Sequence, residues 1–391
     1  GKLIIWHVDN FNDPSKVQYI YFIVNEETYY QIHDPQLYPN LLQFRTGDFL
    51  EAGLRIRDSS SSYSGALQEV DVISLHEIEE INYQLDSVIS ITPKKLAIIL
   101  VGINGAASPL NIASSEARAN DVDTYFNIYS YGITRFSGLA NQGEKADIYG
   151  IYSYNTSNAE CTPSRMLVLA SEIIRFAETS NQPFNSDDYD YIQIIAGNSL
   201  CSNGGQAAIG GSVSIVMGNS LSVSLHELGH NFGLKHAGAF TNCDFSTQGP
   251  ASCTLDEFGD PYDIMGYITP ATYPFTAHFN AAHKEKLHYF SGDNSVDYSL
   301  GTVETYDVHA LEDESNNLQL IKIPYSFSIS GGVTYQTYYY LSYRKSYNEL
   351  DLHYGISPAS PDTKYIRSLG LGEMYHDIIK DVAITVLSQS A

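Results

Sequence analysis

The sequence predicts an α+β protein, a mixed core of helices and strands with a β-rich segment on either side. Three observations carry that prediction. Residues 220–236 read SLSVSLHELGHNFGLKH, a helical pattern dense in metal-binding side chains. Residues 96–102, LAIILVG, form a continuous apolar run of the kind that fills a buried central strand. Short strand-like pieces broken by turn signals occupy the first part of the chain and return after Tyr298. The expected domains are therefore 1–93, an N-terminal β domain; 94–290, the mixed core; and 291–391, a C-terminal β domain.

In chain order, LIIWHV, QYIYFIV, YYQIHD, GLRIRD and EVDVISL show partial alternation and β-branched or aromatic content. NDPS, DPQLYPN, TGD and DSSSSYSG separate them. Strands interrupted this often suit a compact barrel or sandwich, and no residue cluster there resembles a catalytic site. SITPKK, residues 90–95, reads as a linker whose Lys94–Lys95 pair is a candidate processing point. After LAIILVG, Ser114 or Ser115 is the expected cap of a helix ending near Asn127. YSYGITRFSG and ADIYGIYSY read as strands around glycine turns.

Thr162-Pro163 opens a clearer helix, with Thr offering an N-cap oxygen and Pro suited to the first helical position. Met166, Leu169, Ala170, Ile173 and Ala177 follow at helical spacing and form a core stripe. DYDYIQIIAG and GGQAAIGGSVSIVMGN are strand-like and lead into the histidine helix. The glycines there lack the Lys-Ser/Thr of a phosphate loop. A helical stretch, HFNAAHKEKLHYF at 278–290, precedes the strands QLIKIPY, TYQTYYYLSYR and VAITVLS.

The chemistry lies in H-E-x-x-H-x-x-G-x-x-H, matched by His226, Glu227, His230, Gly233 and His236. His226 and His230 are four residues apart, so a helix places both on one face, one turn apart. Two imidazole nitrogens can then meet one metal at roughly 2.0–2.1 Å. Glu227 projects beside them, placed to take a proton from a metal-bound water. A third ligand needs the chain to turn off the helix. Gly233 supplies that turn, since glycine reaches the left-handed conformation that ends helices, and His236 returns as the third ligand. Three protein ligands and one open position describe a catalytic zinc site. From ordinary residue frequencies, a coincidental match in a chain this long is on the order of one in ten thousand or rarer.

Composition bounds the partners. A formal charge of −24, from 45 acidic against 21 basic residues, argues against a phosphate-backbone partner, so no nucleic acid is expected. The excess fits an acidic secreted surface. With 43% hydrophobic and 17% charged residues the chain is neither disordered nor fibrous. No apolar run reaches about eighteen residues, so no membrane-spanning helix is expected. The opening GKLIIWHVDNFNDPS lacks the apolar stretch and cleavage site of a signal peptide. An exported protein would already have lost its signal, and secretion to the extracellular space is the expected localisation.

Cys161, Cys201, Cys243 and Cys253 form no C-x-x-C pair and allow three pairings. Two disulfides in an oxidising compartment are expected. Cys243–Cys253 would close a short loop after the histidines. Cys161–Cys201 would tie the start of the Thr162 helix to the segment before the motif.

Downstream lies FGDPYDIMGY, with Met265 in a tight turn, where methionine supplies a polarizable apolar floor beneath three metal-binding histidines. Together with the long histidine motif, this resembles the Met-turn of the metzincin clan of zinc endopeptidases. SYGITRFSG, DIYGIY, YDYIQIIAG, HELGHNFGLKHA, GDPYDIMG and FNAAHKEKL resemble, in order, segments of gametolysin-type metallopeptidases, chiefly their bacterial secreted relatives. The resemblance covers residues 94–290; the two ends match only in style. In the prototype of that group the first motif position is Gln, whereas here it is His226.

The resemblance implies a metzincin catalytic domain with a mixed five-stranded sheet, a zinc helix and a Met-turn, flanked here by the two β domains. It implies Zn2+ on His226, His230 and His236, with Glu227 as general base and an extended peptide pairing with the sheet edge. Tyr267, two residues after Met265, is then a second catalytic candidate, with a packed aromatic as the alternative. Asp256, Glu257, Asp260 and Asp263 are candidates for Ca2+ or for turn capping, since their spacing matches no EF-hand loop. His278, His283 and His288 are read as structural.

The expected activity is that of a secreted zinc endopeptidase acting on protein or peptide substrates. One alternative is a catalytically reduced protease scaffold serving in binding or adhesion, against which the intact Glu227 speaks. Another is a zinc hydrolase of non-peptide amides or sugar-linked substrates. Residues 1–93 are expected to act as a propeptide, an intramolecular inhibitor that keeps a zymogen latent. No cysteine precedes Cys161, so blocking would be steric or through another metal ligand. Asp48 in FRTGD is one candidate, although its spacing departs by one residue from the aspartate of astacin zymogens and a plain turn also explains it.

Overall fold

The computed structural model describes residues 2–8, 18–25, 28–35, 50–56, 67–77, 92–140, 144–156, 162–197, 204–243, 253–266, 277–330, 333–357 and 362–388. The chain is a mixed α/β protein, mostly sheet with few helices. It divides into two compact units, 1–127 with 132–233 and 128–131 with 234–391.

The first unit contains β1 (Lys2–Val8), β2 (Gln18–Asn25), β3 (Thr28–Ile32), β4 (Leu50–Ile56), β5 (Leu67–Glu77) and β6 (Lys94–Ile103). Then follow α1 (Ile112–Tyr129), β7 (Phe136–Ser137), β8 (Asp147–Tyr154), α2 (Pro163–Glu178), β9 (Tyr191–Gly197), β10 (Gly205–Ala208), β11 (Val213–Met217) and α3 (Leu221–Asn231). Its sheet runs β4-β5-β3-β2-β1-β10-β11-β9-β6-β7, with β8 also on β6. Within it, β8, β6, β9 and β11 pair in parallel and β10 is antiparallel to β11, a mixed set of five strands.

β6 is central because both its faces are apolar: Leu96 through Val101 are wholly buried. α2 covers one face. Its stripe of Met166, Leu169, Ala170, Ile173 and Ala177 packs with Ala97, Ile99, Ile194 and Ile215. Pro163 is its first residue, but the Thr162 side chain makes no capping bond. α1 and α3 cover the other face, where Gln193 Nε2 donates to the Ser224 carbonyl and Arg118 Nη1 donates to Ser224 Oγ. The cap of α1 is Asn111, whose Oδ1 accepts from the Ser114 amide at 2.9 Å, three residues ahead of the expected start. Asn caps as well as Ser, and its side chain reaches the third amide of the helix.

Among the described residues, the N-terminal strands do not close into a separate barrel or sandwich. β1 lies antiparallel on β10 and carries β2, β3, β5 and β4 outward in one continuous sheet. The physical reason is that β1 is apolar on both faces. Trp6 joins the core beneath α2, while Leu3 and Ile5 pack with Ile209 on the other side. Lys94–Lys95 likewise falls inside β6 rather than in a linker. The Lys94 amide donates to Arg135 O and the Lys95 amide to Asp190 Oδ2, each at 2.7 Å. Cleavage there would have to open the central strand first. Asp48 lies outside the described residues.

The second unit contains β12 (Ala237–Thr241), β13 (Thr254–Asp256), α4 (Ala281–Lys286), β14 (Ser295–Asp297), β15 (Leu320–Ser330), β16 (Val333–Arg344), β17 (Glu349–Ser357), β18 (Thr363–Leu369), β19 (Met374–Asp377) and β20 (Val382–Thr385). The sheet order is β13-β12-β18-β17-β16-β15-β14, with β19–β20 a separate hairpin. Tyr339, Leu341, Leu352, Leu369, Tyr375 and Ile384 form its core. The sheet therefore begins before the expected boundary at 290, because β12 pairs in parallel with β18. α4 is shorter than the 278–290 expected. The Asn280 side chain caps it, accepting from the His283 amide at 3.0 Å, and His288 beyond its end has a positive φ of 57°. No helix among the described residues is long and apolar enough to cross a membrane.

Candidate metal centre

The histidine motif forms the helix its spacing predicts. Ser220 is the N-cap of α3, its Oγ accepting from the Val223 amide at 3.4 Å. Arg118 braces the same turn by donating to the Asn219 and Ser220 carbonyls as well as to Ser224. The helix ends at Asn231 with Phe232 as its C-cap, and Gly233 has a φ of +90°, a left-handed conformation that glycine adopts without the Cβ clash of other residues. Its amide donates to His230 O at 2.8 Å.

His226, Glu227 and His230 are all buried on α3. The two rings stand edge to face with centroids 4.8 Å apart, as an i, i+4 pair should. β10 runs directly past the carboxylate. A Cβ built on Gly205 would come within 2.3 Å of Glu227 Oε1 and 2.7 Å of its Cγ. Only a residue without a side chain lets strand and carboxylate approach this closely.

A further histidine, which the motif does not contain, lies at this helix. His7 of β1 is wholly buried, with its ring centroid 4.3 Å from that of His230 and 4.5 Å from that of Tyr19. His7 and His230, both buried, belong to a group of histidines able to hold a metal ion. His226 stands outside that group. Imidazole donors suit zinc, copper, iron or nickel rather than calcium or magnesium.

Within the second unit, the surroundings of His236 are built from the four acids downstream of it. Its Nδ1 lies 3.0 Å from Glu257 Oε1. Burial pushes the Glu257 carboxyl up, but the His236 hydrogen bond and charge and the charge of Lys364 outweigh it and leave the acid below its usual range. An ionised carboxylate only accepts, so Nδ1 carries the proton of this hydrogen bond. A carboxylate behind the ring is a common way to orient a metal-binding histidine. Phe258 packs on the same ring at 4.1 Å, and the next residue, Ala237, donates its amide to Met265 O at 3.0 Å.

Met265 is wholly buried, in a turn held by Asp263. Asp263 Oδ1 accepts from the Met265 amide at 2.7 Å, and Oδ2 accepts from the Asn280 amide at 2.6 Å and pairs with His283 Nδ1 at 2.8 Å. Burial opposes ionisation of Asp263, yet the His283 charge and these hydrogen bonds hold its carboxyl below the usual range. Asp260 Oδ1 accepts from the Tyr262 amide, while Oδ2 lies 2.9 Å from His353 Nε2. Asp256 Oδ1 accepts from the Phe258 amide. All four acids thus serve turns or the His236 ring, the capping role weighed against calcium.

His283 is structural, as expected. His278 packs against Tyr129, and burial, with the charges of Lys284 and Arg344, pushes its pKa well down, so it is neutral. Tyr267 lies outside the described residues, as do Cys161 and Cys201. The Cys243–Cys253 disulfide is present, with a Cα–Cα distance of 4.3 Å. The sequence reading missed His7 and the role of Glu257. His7 stands in an ordinary alternating strand, LIIWHV, and carries no motif; only strand pairing reveals it. No protein-family model matches the chain, and no curated protein matches it.

Proposed function

We propose that this chain is a zinc-dependent endopeptidase in which His226, His230 and His236 hold the metal and Glu227 is the general base. The observation that carries the reading is α3 itself. It buries His226, Glu227 and His230 on consecutive turns, with Glu227 against β10 and the turn at Gly233 leading towards His236. The donor set fits zinc: imidazoles, one with a carboxylate behind it, and an acid beside them that has no place in the ligand set.

Zinc, when bound there, supplies Lewis acidity towards a peptide carbonyl and lowers the pKa of water. The chain's own residues do the rest. The main chain of β10, with β1 displaced from it, would offer strand pairing to an extended peptide, which fixes the register of the scissile bond. Glu227, in a buried setting of low polarity, accepts the proton of the attacking water at a carboxylate oxygen and passes it to the leaving amine. The resemblance gives Met265 the place of an apolar floor and Tyr267 the role of steadying charge on the attacked carbonyl. The Cys243–Cys253 disulfide supports an oxidising, extracellular setting.

The test digests a proteome-derived peptide mixture with the chain, before and after limited proteolysis, with and without a chelator. New cleavages should disappear with chelator. They should fall by about 100-fold or more in Glu227→Gln, with its zinc content unchanged. A Glu227→Gln protein that keeps substantial activity would overturn the assignment of the base. Metal binding without any cleavage would leave a binding protein on a protease-like scaffold.

A further inference from the structure

β1 takes the place on the sheet where, in the proposed function, a peptide would bind. Its register on β10 is Trp6 with Ala208, His7 with Ala207 and Val8 with Gln206, all antiparallel. Side chains directly opposite each other in an antiparallel pair point to the same face, and so do residues two apart. His7, Ala207 and Gly205 therefore face the same way, and Gly205 is the residue in contact with Glu227. Ile5 continues the pattern, its carbonyl accepting from the Ile209 amide at 2.9 Å. On the opposite face, Trp6 Nε1 donates to Gln206 Oε1 at 2.8 Å and locks the register. A one-residue slip would turn His7 away from α3 and bury Trp6 on the wrong side.

The parity leads to one result. His7 is the side chain of β1 delivered to α3, and it lies between Tyr19 and His230, with ring centroids 4.5 and 4.3 Å away. A strand that served only to cover a sheet edge would place an apolar residue there, as Leu3 and Ile5 do earlier on the same face. Burying an imidazole instead, in a group of histidines able to hold a metal, marks it as a ligand.

We infer that β1 holds the centre latent: it occupies the β10 edge that a peptide would pair with, and His7 gives a ring nitrogen to the metal that His230 binds. The inference rests on the proposed metal centre and adds its regulation. A protein nitrogen in the position that catalysis needs open closes the site, and the paired edge excludes a substrate strand. Activation then requires β1 to leave β10, which removes ligand and strand together. A cut upstream of Thr92 would permit this without touching β6.

The experiment loads the full chain with cobalt(II) and compares it with His7→Phe and His7→Ala. Phe keeps a ring between Tyr19 and His230 but no nitrogen, which guards against a packing artefact. In both variants the visible cobalt bands should shift, and zinc should pass to a competing chelator at least about tenfold faster. Peptide hydrolysis by the uncut chain should rise towards that of the trimmed chain. Cobalt spectra and zinc release unchanged in both variants would overturn the inference, while chelator-sensitive cleavage would leave the peptidase reading standing. Conversely, shifted bands and faster release with no hydrolysis in any form would keep His7 as a ligand and defeat the peptidase reading. A chain that binds neither metal overturns both.

Discussion

Asp263 shows how a single side chain can hold a site it does not itself enter. Its carboxylate ties the Met265 amide, the Asn280 amide and the His283 ring together with no exposure to water. Removing one member of a buried ion pair typically costs about 3–5 kcal/mol, because the partner is left in a poor dielectric. Asp263→Ala should therefore lower the unfolding free energy at neutral pH by about that much, measured by urea denaturation. The sign with pH follows from the lowered folded-state pKa. Asp263 contributes stability that is present above the unfolded-state value of about 3.9 and is lost as pH falls through the folded-state value. The gap between parent and variant should thus be full at pH 6 and narrow progressively below about pH 4. A gap that widened in acid would show that the carboxylate is not held ionised by the fold.

At the scale of elements, the contact that matters is β10 against α3. Gly205 lets the strand pass close to Glu227, and any Cβ there drives the carboxylate out of position. Gly205→Ala should leave zinc content unchanged and lower kcat by about 100-fold, since a misplacement of about 1 Å can cost that much. KM for a short peptide should move far less. Parent and variant should be compared after the same limited proteolysis. Equal turnover in the two would mean that Glu227 does not depend on this strand for its place, and the role given to β10 would fall with it. The α3 cap and the Gly233 turn act on the helix ends instead, so changes there should reduce metal content along with activity.

For the molecule as a whole, the dominant quantity is the net charge of −24. Like charges repel in the compact state, and salt screens them over about 10 Å at 0.1 M. The thermal midpoint should rise as sodium chloride is raised from about 10 to about 200 mM, followed by circular dichroism. A fall over that range would mean that attractive surface pairs, such as Lys322 with Glu285, outweigh the repulsion.

Much of the local structure was legible in the sequence, because it depends on neighbours within one or two helical turns. The i, i+4 histidines and the left-handed turn at Gly233 sit where spacing and glycine chemistry put them. The α2 stripe and the doubly buried β6 follow likewise from the period of their apolar residues. Tertiary structure decided what lies across the chain. Strand pairing set β1 on β10 and brought His7 to His230, because register depends on edges and faces that no local periodicity encodes. The same holds for Glu257 behind His236 and for His283 beneath the Met265 turn, charged partners brought together by the packing of separate loops. The motif alone therefore reads as an open catalytic centre; the pairing of a distant strand sets a further buried histidine beside it.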